Sequence, residues 1–296
     1  MPRLMRVCIG VLIAALGGWL MGGCGGDSEV GSPPTATVKV MLVDAPAADL
    51  EEVHVALESI ELIRRADVPQ MLLTRLQLPA DIDLLALDDP LVLGTVEVLV
   101  ARYTAIRVLI NGASSANRVV TADGRSHPLR LVDDHPESQV GLVLPFRLTA
   151  GTEGTLLLDF CAGASVYRFG VTNEWRLRPV IFAQYVEGTP QFGSISGTVV
   201  EANGDSLAMP VGTVLGAFLR SNDHGQPVAV AEVCPDTGQF SFGRILPGRY
   251  VLTIQRANRD WTLSGEPLPL VGLGGTSHLL RLPVDQTLRP VYTIDL

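Results

Sequence analysis

From Val38 onward apolar and polar residues alternate with a period of two, and the helical period of 3.6 hardly appears. Val38, Val40 and Leu42 share one parity, as do Val53, Val55 and Leu57, and again Thr104, Ile106, Val108 and Ile110. Val140, Leu142, Leu144, Phe146 and Leu148 make the cleanest series. Successive side chains of a strand point to opposite faces, so the pattern predicts half-buried antiparallel strands. Between Leu57 and Ile60 the apolar parity slips by one residue, which predicts a β-bulge at Glu58-Ser59. Asp123-Gly124, between Val119-Val120 and Leu129 with Leu131, and the segment 150–154 between two strand-like runs are placed as hairpin turns. Only residues 81–87 and 92–101 admit short helices, and the valines of the second suit a strand as well.

Residues 187–194 hold Gly188, Pro190 and Gly193 between two strand-like runs and read as a linker. Beyond them, strands are expected at Ile195-Ser196-Gly197-Thr198-Val199, at 214–219 and at 228–233. Asp236-Thr237-Gly238 forms a turn, Phe240 and Phe242 fall on one face, and Tyr250, Leu252 and Ile254 share another. Pro247-Gly248 between them suits a type II turn with Gly248 supplying the positive φ. The predicted fold class is all-β, two antiparallel β-sandwich domains in tandem at 38–186 and 195–296, each with its own core.

The first 24 residues obey different rules. Arg3 and Arg6 precede an uncharged apolar run, residues 7–21, which ends in Gly22-Gly23-Cys24. The run is shorter than the about 20 residues a membrane span needs and carries Gly10, Gly17 and Gly18. A positive start, a short apolar segment and small residues at a cut site make a secretory leader. With the cysteine directly after the small residues, it resembles a bacterial lipoprotein signal peptide, with Met21 where Leu is usual. The resemblance implies removal of residues 1–23, diacylglycerol on the Cys24 thiol and the membrane as a partner through that lipid. Gly25 rather than Asp after Cys24 implies, on the same resemblance, the outer membrane of the cell envelope. Residues 24–37 are Gly/Ser/Pro-rich and read as a flexible tether with a reach of roughly 20 Å.

Composition narrows the function classes. A hydrophobic content of 47% is enough for full cores in a chain of 296 residues. The formal charge of −9 becomes −11 once Arg3 and Arg6 leave, which makes nucleic acid a poor partner. Of four cysteines, Cys8 leaves with the leader and Cys24 takes the lipid. Cys161 and Cys234 remain, 73 residues apart in different predicted domains, either paired or as two small hydrophobes.

Gly238, Phe240, Phe242, Leu246, Pro247, Gly248 and Tyr250, in that order, resemble the carboxypeptidase regulatory-like domain, a small transthyretin-like sandwich. That resemblance implies stability, spacing or adhesion rather than catalysis. The first block resembles the bacterial lipoprotein family called domain of unknown function 4382. It does so through Leu42-Val43-Asp44-Ala45-Pro46, residues 103–107 with Leu109, Asp159-Phe160, Ser165-Val166 and Leu177-Arg178-Pro179-Val180. It departs at Val43, where Thr is expected, and at Cys161, where an acid is expected. The family supplies architecture and a place in the envelope, and no activity.

The residues that could carry chemistry are few. His54, His127, His135, His224 and His278 include no pair at i, i+2 or i, i+4, so no zinc site and no catalytic metal are expected. Asp133-Asp134-His135 with Glu137 lacks the ligand alternation and turn glycine of a calcium loop and reads as a solvated loop. Asp159, opposite in parity to Leu158 and Phe160, is expected on the outer face, held by backbone or by an Arg such as Arg107. Gly163-Ala164-Ser165-Val166 lacks the second flanking glycine of a nucleophile elbow, and Gly272-Leu273-Gly274-Gly275 has no following helix. Of the tryptophans only Trp175 and Trp261 survive cleavage, and Trp261 beside Asp260 is the candidate ligand-binding residue for a glycan. The expected function is a lipid-anchored envelope protein with a structural, spacer or protein-binding role, not an enzyme and without cofactor. A carbohydrate-binding surface lipoprotein is the alternative, and an envelope hydrolase ranks below it.

Overall fold

A computed structural model describes residues 32–44, 47, 50–64, 69–74, 78–113, 115–132, 137–170, 174–201, 207, 213–225, 227–258, 268, 270–271, 278–282, 287–288 and 291–294. The part from Pro33 to Leu296 forms one compact unit. The predicted all-β class holds, and among the described residues no helix is long and apolar enough to cross a membrane.

The first half runs β1 (Thr35–Val43), β2 (Leu50–Val55), β3 (Leu57–Arg64), β4 (Pro69–Thr74), β5 (Ile82–Asp83), β6 (Leu91–Leu99), β7 (Arg102–Ile110), β8 (Arg118–Thr121), β9 (Ser126–Leu131), β10 (Glu137–Arg147) and β11 (Glu153–Phe160). A four-residue helix α1 (Ala162–Ser165) follows, then β12 (Val166–Phe169), β13 (Glu174–Leu177) and β14 (Ile181–Glu187). Eight strands form one sheet in the order β4-β3-β7-β10-β14-β11-β1-β6, and six form a second in the order β12-β13-β9-β8-β2-β5. Most neighbours are antiparallel, while β1 with β11, β10 with β14, and β9 with β13 run parallel. The alternation does what was expected of it. Val38, Val40 and Leu42 from the larger sheet and Val53 and Val55 from the smaller meet in one buried core.

Val53, Val55 and Leu57 share one parity in the sequence, yet the chain changes sheets at Ala56: β2 belongs to the six-stranded sheet and β3 to the eight-stranded one. The bulge itself is present, since Leu57 pairs with Ile110 and Ser59 with Leu109, leaving Glu58 as the extra residue. In the stretch 92–101, residues through Leu99 belong to strand β6 rather than to a helix. β6 lies antiparallel on β1, where β-branched valines pack on a pleated surface better than on a helix. Residues 81–87 hold the short strand β5 and a turn. Asp123-Gly124 turns β8 into β9 as expected, with Gly124 at φ 72°. Segment 150–154 does not close a hairpin, because β14 lies between β10 and β11.

The second half comprises β15 (Gly193–Glu201), β16 (Thr213–Ser221), β17 (Pro227–Glu232), β18 (Gln239–Ile245), β19 (Gly248–Asn258), β20 (Leu270–Val271), β21 (His278–Leu282), β22 (Thr287–Leu288) and β23 (Val291–Ile294). One sheet has the order β18-β15-β23-β20, with β22 also paired to β15, and the other β17-β16-β19-β21. Ile195, Val199, Phe240 and Phe242 from the first face Leu215, Leu219, Leu252 and Ile254 from the second in a separate core. Leu246-Pro247 is a step from one sheet to the other rather than a hairpin turn. The positive φ accordingly sits on Arg244 (49°), and Gly248 is not among the glycines that adopt one. Gly248 serves close approach instead, since a Cβ there would lie 3.2 Å from the Tyr250 hydroxyl oxygen.

Candidate functional site

Two polar constellations stand out among the described residues. The first lies where the halves meet. Cys161, Ala164, Val214, Val230 and Ala257 form a third apolar cluster, with Val180, Phe182 and Phe218 against it. Strand parity explains it. Leu215, Ala217 and Leu219 point into the second core, so Val214 and Phe218 must point out of it. The outward side of the β17-β16-β19 sheet therefore presents Val214, Phe218, Val230 and Ala257 beside the buried Thr253 and Gln255, and it packs against α1 and the start of β14.

α1 is fastened by polar groups from both of its flanks. Asp44, at the end of β1, accepts from the Ala162 amide at 2.9 Å. The Ser165 hydroxyl donates to the Cys161 carbonyl at 2.8 Å and accepts from the Val180 amide at 2.8 Å. The Ser165 carbonyl accepts from Arg178 N–H and the Val180 carbonyl from Cys161 N–H. Asp44, Ser165, Arg178 and Val180, scattered through the motifs singled out in the sequence, thus converge on four residues of helix.

Asp159 is on the face opposite Phe160, as its parity required, but that face is covered and the residue is only 9% exposed. Its partner is the Cys161 thiol, which donates to Oδ1 at 3.8 Å. Arg107 pairs with Glu61 at 3.2 Å instead. Burial lifts the Asp159 pKa to about 7, and the hydrogen bond from the Cys161 thiol opposes it. Burial, together with the neighbouring Asp159 and Asp44 charges, holds the Cys161 thiol well above its usual range. A thiol kept protonated is a poor nucleophile, so the pair packs rather than reacts. Cys161 and Cys234 are both free.

The second constellation is on the solvent side of the six-stranded sheet. Val53 and Val55 point inward, so Glu52 and His54 point outward. Arg118 of β8 and Asp83 of β5 are register partners of His54 on either side. His54 Nδ1 lies 2.8 Å from Asp81 and Nε2 lies 2.7 Å from Glu52. Arg118 bonds Asp81 at 3.0 Å and also approaches Nε2 at 2.9 Å. Asp83 Oδ1 accepts from the amides of Val53 and Leu85, 3.1 Å each. A search for paired histidines passes over this set, because one histidine is joined by carboxylates from its own strand and from a strand about 30 residues on. Glu-x-His on an exposed strand face is the signal that would have found half of it.

Cys24, Trp261 and the 133–136 loop with Asp133, Asp134 and His135 lie outside the described residues. Trp175 is half-buried against the first core, with the Arg168 guanidinium 4.8 Å from its ring centroid. Its face is thereby occupied by a cation.

Residues 35–179 match the family described as "Domain of unknown function (DUF4382)". No curated protein matches the sequence. Solved structures similar to the chain include the Bacillus anthracis TIE protein, at 8% identity and TM-score 0.25, covering 89% of this chain and 35% of that one. The chain thus spans about a third of the TIE protein. BcpA, the major pilin subunit of Bacillus cereus, aligns at 9% identity and TM-score 0.25 over 88% of this chain and 70% of its own. GBS52, the minor pilin of Streptococcus agalactiae, aligns at 9% and 0.27 over 88% and 95%. TM-scores of this size leave function to be argued from the chain's own residues.

Proposed function

We propose that this chain is a lipid-anchored cell-envelope protein whose folded part serves as a spacer or protein-binding body, and that it is not an enzyme. The observation that carries the reading is the cluster of Cys161, Ala164, Val214, Val230 and Ala257, through which the two halves share a buried interface. Such a body transmits position rather than performing chemistry. The groups closest to reactivity, Asp159 and Cys161, are engaged with each other inside it. The leader and tether supply the rest: residues 1–23 are cleaved, Cys24 carries the lipid, residues 24–37 hold the body off the outer membrane, and residues 195–296 act as a carboxypeptidase regulatory-like module.

Labelling cells with a fatty-acid analogue tests the anchor. Wild type takes up label and Cys24→Ala does not, and a labelled variant overturns the assignment. A glycan array probed with the full chain beside Trp261→Ala tests the role. No binding and no hydrolysis are expected. Binding lost in the variant replaces the spacer reading with a sugar-binding one, and hydrolysis of any arrayed glycan overturns both.

A further inference from the structure

We infer that Glu52, His54 and Asp83 form a binding site for a divalent transition-metal ion, Zn²⁺ first among them, with Asp81 orienting the histidine. One ligand atom from each of the three residues lies within 4.8 Å of the other two. They come from one surface on two adjacent strands, and His54, 9% exposed, is held where a surface histidine would ordinarily be mobile. Imidazole with two carboxylates matches zinc in ligand type, whereas calcium and magnesium prefer oxygen alone. Bonds of about 2.1 Å to a tetrahedral ion put ligand atoms roughly 3.4 Å apart. Glu52 Oε2, now 2.7 Å from Nε2, must open by a fraction of an ångström, which its half-exposed side chain permits.

The outer partners fit a bound ion as well. Metal-ligating histidines generally donate their other ring N–H to a carboxylate, and Asp81 sits 2.8 Å from Nδ1, itself held by Arg118. That tautomer leaves a lone pair on Nε2 facing the Glu52 carboxylate, a repulsive contact that a cation converts into attraction. A proton on Nε2 would satisfy Glu52 but would then oppose the Arg118 N–H at 2.9 Å. Arg118 is thus the built-in competitor: one guanidinium nitrogen holds Asp81 while the other reaches for the same Nε2, and at 43% exposure the side chain has room to release that second contact when an ion enters. Three protein ligands leave a fourth position open to water.

The test uses the full chain, stripped with chelator and dialysed against Zn²⁺, with bound metal counted by atomic emission and affinity read by competition with a chromogenic chelator. One zinc per chain is expected. Glu52→Gln, a surface change that spares folding, should weaken binding at least tenfold, and a Glu52→Gln/His54→Gln chain should lose it. Asp81→Asn should weaken binding about tenfold with unchanged stoichiometry. Arg118→Gln should tighten it severalfold, the reverse of what a merely structural arginine would give. Wild type without zinc, zinc held equally by the double variant, or looser binding in Arg118→Gln overturns the site, and tighter binding of Ca²⁺ than of Zn²⁺ overturns the choice of ion.

Discussion

The Tyr250 hydroxyl donates to the carbonyl of Leu246, four residues back across the corner where the chain leaves one sheet for the other. Tyr103 repeats the arrangement in the first half, donating to Leu99 at 2.8 Å between β6 and β7. Both rings lie in a core, and Gly248 passes close beneath the ring of Tyr250. Burial pushes the Tyr250 pKa up to about 12, so the hydroxyl stays a donor throughout the working range.

Tyr250→Phe should cost about 1–3 kcal/mol, because it removes one donor and leaves the Leu246 carbonyl short of a partner. The midpoint of urea unfolding measures it. A variant as stable as wild type would show that water replaces the hydroxyl at this corner.

Gly238 and Gly225 have nearly equal positive φ, 67° and 65°, but different surroundings. A Cβ on Gly238 would lie 1.9 Å from the Val199 carbonyl oxygen, whereas one on Gly225 meets nothing within 4 Å. Gly225→Ala should therefore cost about 1–2 kcal/mol for the left-handed backbone alone. Gly238→Ala should exceed about 4 kcal/mol, since strand β15 must move. Thermal melts of the two variants separate the cost of the dihedral from the cost of contact.

Asp159 makes stability fall as pH rises. Its folded pKa of about 7 lies above the about 3.9 of an unfolded aspartate, so the native state binds the extra proton between those values. The stabilising effect of the neutral carboxyl is whole below about pH 4 and is lost as pH climbs through about 7. Asp159→Asn should match wild type at pH 4 and exceed it at pH 8 by an amount on the order of 2–4 kcal/mol. Denaturation at the two pH values decides, and an equal difference at both would mean the carboxyl is charged in its buried position.

Alternation along single strands was legible because one residue's face depends only on its neighbours: Val38, Val40 and Leu42 point inward, as do Phe240 and Phe242. Partnership was not. Nothing local tells β10 that β14 will lie between it and β11, or that the chain steps between sheets at Ala56 and at Leu246-Pro247. The candidate ion site was hidden for the same reason, since His54 and Asp83 become neighbours only through strand pairing. Helix α1 escaped notice because four residues carry no periodicity; beside its own turn bonds it is held by Asp44 and by the Ser165 hydroxyl.

Val230→Asp tests the joint between the halves. Val230 is 6% exposed, opposite Phe218 in the ladder and within the cluster containing Cys161. A carboxylate there would stand among Val214, Ala257 and Phe218 and costs several kcal/mol if buried unpaired. Calorimetry should show one transition for the wild-type body and two for the variant, as each core melts by itself. A single transition in the variant would mean that the linker couples the halves without the joint.

The sheet of β17, β16 and β19 is covered on both sides around Val214, Val230 and Ala257, by its own core on one and by α1 with the approach to β14 on the other. The last hundred residues are therefore not a freely portable cassette, whatever their motif suggests. Grafted onto another carrier, they would bring a bare oily plate bearing Val214, Phe218 and Val230, and copies would clump by the face that the first half ordinarily wears.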